Sequence, residues 1–205
     1  MPRSRALTTP SASPPPAALD FLGRAPLIPG DDSSGYDTLL ARVSAAVRPG
    51  DLLEQAWVRD VGDLIWEAVR LRRLKAALMT GCADEGMQKL LTGLNVRGDT
   101  YELSRRWAAR ELAAVGQIDA VLAAAGLGID HVMAQTLRLR IVEIERIDRM
   151  IASAEARRAA TLHEIGHHRE RFAASLRAAA QEAIADAEFE EVAPPAEQRQ
   201  AEAAE

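Results

Sequence analysis

His163, Glu164 and His167 stand in the pattern H-E-x-x-H, as His163-Glu164-Ile165-Gly166-His167. On a helix, a spacing of four sets both imidazoles on one face, where their ring nitrogens can hold one zinc ion. The glutamate between them has the chemistry of a general base that takes a proton from a metal-bound water. A catalytic zinc also needs a third protein ligand and a lined cleft that orients the ligands and excludes bulk water. Whether the pentad gains these depends on the element that carries it.

That element is a continuous helical pattern over residues 130–189, without proline, which Asp130 can cap after the Gly126-Leu127-Gly128 break. Leu137, Ile141, Ile144, Ile147, Ile151, Ala154, Leu162, Ile165, Phe172, Leu176, Ala179 and Ala183 recur mainly in steps of three and four. Such spacing keeps them on one side of a helix and can sustain a coiled-coil-like seam. Taking Leu162 as zero and about 100° per residue, Leu162, Ile165, Phe172 and Leu176 fall between about 0° and −80°. His163 and His167 fall near about 100° and 140°, on the side away from the stripe. The pentad resembles the zincin metallopeptidases. That resemblance implies a zinc ion on His163 and His167 with Glu164 as the base, but it spans five residues and supplies two ligands. The reading adopted is a surface histidine cluster with no catalytic residue, metal or cofactor; Glu164 with zinc on His163 and His167 is the alternative.

A helix of roughly sixty residues would extend about 90 Å, more than a compact domain of this size needs. One side must therefore be covered by the chain's own earlier helices or by a partner. The interaction stripe is assigned to Ile141, Ile144, Ile147, Ile151, Leu162, Ile165, Phe172 and Leu176. The expected partner is a second copy or another helical protein.

The composition agrees with helix-on-helix packing. Of 205 residues, 48% are hydrophobic but only 4% aromatic, and no alternating Val-Ile-Thr run marks a strand. The expected fold is all-α, with short helices folded against or beside one very long C-terminal helix, coiled-coil-like. A net charge of −5 disfavours general nucleic-acid binding, and a single cysteine, Cys82, excludes an internal disulfide framework. With no apolar block long enough for a signal peptide or membrane span, a cytoplasmic protein without membrane contact is expected. Four segments follow: a disordered tail over residues 1–34, a short-helix region over 35–128, the long helix over 129–190, and an acidic disordered tail over 191–205.

Within the short-helix region, a first helix is expected over residues 36–47, ended by Pro49-Gly50. A second begins near Asp51 and faces the core with Trp57, Val61, Leu64, Ala68, Leu71 and Leu78. A third covers about residues 84–94. Asp99 with Glu102 forms a capping box for a helix from Thr100, bent at Gly116 and stopped at Gly126.

Two features suggest nucleic acid as a less favoured partner. Arg70, Arg72, Arg73 and Lys75 form a basic cluster late in the second helix, read first as a solvated face. Residues 118–137 resemble a helix-turn-helix, with Gly126 at the turn and Val132 six residues on; the resemblance implies base reading by the early residues of the second helix. Of those, only Gln135 is a usual base reader, and Asp130 repels phosphates. A helix-loop-helix corner is the preferred reading.

Residues 118–189, above all Ile144-Glu145-Arg146-Ile147-Asp148-Arg149 and the run to Arg169, resemble a set of uncharacterised all-helical proteins of alphaproteobacterial genomes. In that set the positions of His163 and Gly166 more usually hold charged residues. The resemblance implies no activity. The function expected is therefore non-catalytic: a helical scaffold or adaptor, or an oligomerisation protein. A DNA-associated accessory protein is the second reading, and a zinc metallopeptidase the third.

Overall fold

A computed structural model of the protein describes residues 23–188, and no strand occurs among them. The helices are α1 (Ser33–Val47), α2 (Leu52–Gly81), α3 (Ala83–Gly93), α4 (Thr100–Ala108), α5 (Leu112–Ala124), α6 (Ile129–Leu139) and α7 (Ile141–Glu188). The all-α fold with one long C-terminal helix is as the periodicity predicts. The chain divides into two units, Met1–Thr161 and Leu162–Glu205, so the first part of α7 belongs to one and its remainder to the other. No single helix of the described residues is long and apolar enough to cross a membrane.

Within the first unit, α3 to α6 close around Met87, Leu91, Leu103, Ala114, Ile118, Leu122 and Val132. Local chemistry sets several of the bounds. The Asp99 carboxylate accepts the Glu102 N–H at 3.0 Å, the N-cap half of the expected capping box, and α4 starts at Thr100 as expected. Gly126, at φ 67°, ends α5 in the left-handed conformation that glycine adopts at little cost. Beyond it α6 leaves at 95° to α5. The expected bend at Gly116 does not occur: Gly116 lies inside α5, and the break falls at Arg110, φ 62°. There Arg106 and Glu111 form an ion pair across the turn. The shift sets Ala114, Ile118 and Leu122 on one inward face.

Two further expectations are corrected. The single helix from residue 130 is interrupted at Arg140, whose N–H is shared between the Thr136 and Leu137 carbonyls. The reason lies in packing: α6 turns Val132 and Thr136 onto α3, while α7 begins anew with Ile144, Ile151 and Ala154 buried beside α2. Residues 23–34 do not form a loose tail. The Asp31 side chain is buried, accepts the Ile28 N–H at 3.1 Å and the Trp66 indole N–H at 3.2 Å, and pairs with Arg70 and Arg73. The remaining tail assignments, to residues 1–22 and 189–205, lie outside the described residues.

Helix α2 carries this unit on both flanks. On one, Tyr36 and Leu40 of α1 are buried, with Leu40 Cδ1 only 3.0 Å from where a β-carbon on Gly62 would stand. On the other, Lys75 pairs with Asp148, Arg72 with Glu155 and Glu67 with Arg157. As the α2 numbers fall the α7 numbers rise, so α2 and the first part of α7 run antiparallel.

Candidate functional site

The apolar stripe of α7 changes character along its length. Ile144 and Ile151 are 4% and 9% exposed, Ala154 is fully buried, and Ile147 is half-buried, whereas Ile141 is exposed at the helix start. From residue 162 onward Ile165 is buried, but Leu162 is exposed, and Phe172 and Leu176 are 61% and 56% exposed. Ile184, which the stripe did not include, is exposed as well. Residues such as phenylalanine and leucine seldom face water in a run on one helix side, because burying each is worth about 1.5–3 kcal/mol.

The His163 and His167 rings meet edge to face with centroids 4.4 Å apart, so the spacing of four brings them together as expected. Both residues are exposed, as is Glu164, while Ile165 between them is buried. His167 Nδ1 lies 3.6 Å from Glu170 Oε2, one turn on. Among the described residues no third His, Cys, Asp or Glu donor joins this pair in a cluster fit for an ion. His163, Glu164 and His167 are thus exposed side chains of one helix face.

The basic cluster is matched by carboxylates distant in sequence. Arg70 and Arg73 converge on Asp31, Arg72 meets Glu155, and Lys75 donates to both Asp148 oxygens at 2.8 Å. Burial would raise the Asp31 carboxyl, but the Ile28 N–H, Arg73, Trp66 and Arg70 outweigh it and bring it down to about 2. At the α5–α6 corner Gln135 is half-buried, and His131 Nδ1 accepts the Gly128 N–H at 3.1 Å, which occupies it as a cap.

Sequence reasoning missed a groove along α2. It has a volume of about 850 Å³ and is bounded by Ile28 on one side and Met150 of α7 on the other, with Leu64, Leu71 and Leu74 of α2 along it. Asp60, Asp63 and Glu67 bring carboxylates to the same groove. Asp63 accepts from the Tyr36 hydroxyl and from Arg59 Nε at 3.2 Å, and burial with the Asp63 contact raises the Tyr36 phenol. Burial, then the charge of Asp63, raises the Asp60 carboxyl, opposed by Arg59. The groove joins residues more than a hundred positions apart, so no local pattern could have announced it.

No protein-family model matches the chain, and comparison with curated proteins and with solved structures gives no match.

Proposed function

We propose that the protein is a non-catalytic helical scaffold or adaptor that associates through the distal face of α7. The observation that carries this reading is the exposure of Phe172 and Leu176 on one helix side, continuing a stripe whose first part, at Ile144 and Ile151, is buried. An amphipathic helix gains its stability chiefly by burying that face, so the uncovered part is matched to another helix in a coiled-coil-like contact. On this reading the protein is an oligomer or a partner of a second helical protein, and works in the cytoplasm. We place it with the uncharacterised alphaproteobacterial helical proteins that residues 118–189 resemble.

The other readings draw less support. Arg70, Arg72, Arg73 and Lys75 spend their charge on Asp31, Glu155 and Asp148, which leaves little for phosphates. His163, Glu164 and His167 lie on an open helix face, which gives zinc-dependent hydrolysis no cleft.

A photo-crosslinking residue placed at 172 in living cells tests the scaffold reading. A discrete adduct at 172 and 176, absent from position 174 on the opposite side and lost with Leu176→Ser, is the expected result. Equal labelling at all three positions, or none, would refute it.

A further inference from the structure

We propose that the groove along α2 receives the distal part of α7 from a second copy of this chain. The inference rests on the scaffold reading and names the surface its helix docks against. Two surfaces on the chain are exposed, apolar and opposite in spare charge. In the groove Ile28, Leu74 and Met150 are large apolar side chains that face solvent. Its carboxylates are unequally matched: Asp63 is held by Tyr36 and Arg59, and Glu67 by Arg157. Arg70, which also lines it, is held by Asp31. Asp60 is exposed and forms no ion pair among the described residues, with the Asp63 carboxylate beside it and Arg59 the cation that opposes the two.

The distal part of α7 offers the counterpart. Phe172 and Leu176 stand one turn apart and Ile184 two turns beyond, all exposed. Arg171 and Arg177 flank them, both exposed and neither in an ion pair among the described residues; Glu182, exposed on the same stretch, offsets one of these charges and leaves residues 171–185 with an excess of one cation. Between Leu176 and Ile184 the helix carries Ala178, Ala179, Ala180 and Ala183, a thin surface that lets it settle deep into a cleft. Bulky residues one turn apart entering a hydrophobic groove, with cations at the rim, is the helix-in-groove mode of recognition. Two such helices laid on each other would leave Phe172 facing shallow alanines, whereas the groove supplies depth and a carboxylate.

A groove meeting a ridge is a heterologous contact, so the two halves can be disabled separately. One variant, Leu74→Glu/Met150→Glu, spoils the groove; the other, Phe172→Glu/Leu176→Glu, spoils the ridge. All four positions are exposed, and circular dichroism checks that each variant keeps its helices. Sedimentation velocity of the full chain should show association for the wild type, monomers for each variant alone, and renewed association when the two variants are mixed. Asp60→Lys should weaken the wild-type association roughly tenfold by setting like charges together. Association that survives in the groove variant would overturn the proposal and leave the scaffold reading in place. Loss in both variants without rescue on mixing would also overturn it, because an intact groove and an intact ridge on separate chains would then fail to pair. A wild-type chain that stays monomeric at every concentration would overturn it too, and an adduct at position 172 in cells would then assign the ridge to a different protein.

Discussion

Thr136 Oγ1 lies 2.0 Å from the point where a β-carbon on Gly86 would stand, with the Val132 carbonyl and the Thr136 N–H also within 3 Å. Helices α3 and α6 therefore cross backbone to backbone, and only glycine fits. The hydroxyl is fully buried and donates to the Val132 carbonyl at 2.9 Å, so it cannot swing aside freely.

Gly86→Ala is expected to destabilise the fold by about 1–3 kcal/mol in a denaturant titration, through overpacking of the crossing. Alanine alone would favour the helix by about 1 kcal/mol. A stabilised variant would mean that the two helices stand farther apart.

The two parts of the α7 stripe should respond differently to truncation. Ile151→Ala, within the covered part, should cost about 2–5 kcal/mol. Phe172→Ala, measured dilute enough for single chains, should stay within about 0.5 kcal/mol of the wild type. Equal losses would mean that the chain covers its own Phe172.

Asp31 supplies the pH dependence. Its carboxyl sits at about 2 in the folded protein, below the ordinary 3.8. A depressed value contributes stability that is complete above about 4 and is lost as the pH falls through about 2. Asp31→Asn should flatten stability against pH in that window, and amide exchange of residues 24–31 should quicken because Arg70, Arg73 and Trp66 lose their common acceptor. An unchanged acid limb of the Asn variant would remove Asp31 from this role.

Lys75→Ala breaks a solvent-facing pair with Asp148 and should cost no more than about 1 kcal/mol, less at high salt. With the Arg70, Arg72, Arg73 and Lys75 cluster matched by carboxylates, the wild type should not be retained on duplex DNA even at low salt; retention with a steep salt dependence would favour the nucleic-acid reading.

The all-α class, the Asp99 cap, the Gly126 stop and the outward-facing histidines could all be read from local spacing. Each depends on residues within a turn or two of one another. The break at Arg140 could not, since it arises from the meeting of Gly86 with Thr136, fifty residues apart in the chain. Nor could the pairing of Arg72 with Glu155, or the capture of Arg70 and Arg73 by Asp31. A helix pattern shows which side is apolar but not which length of it the chain itself will cover.

Hydrogen exchange of the full chain at two concentrations tests the association face most directly. Amides over residues 168–185 should gain protection as concentration rises, together with those lining the α2 groove near Leu74, while the α3–α6 core stays constant. Exchange over 168–185 that is the same at both concentrations would contradict the account.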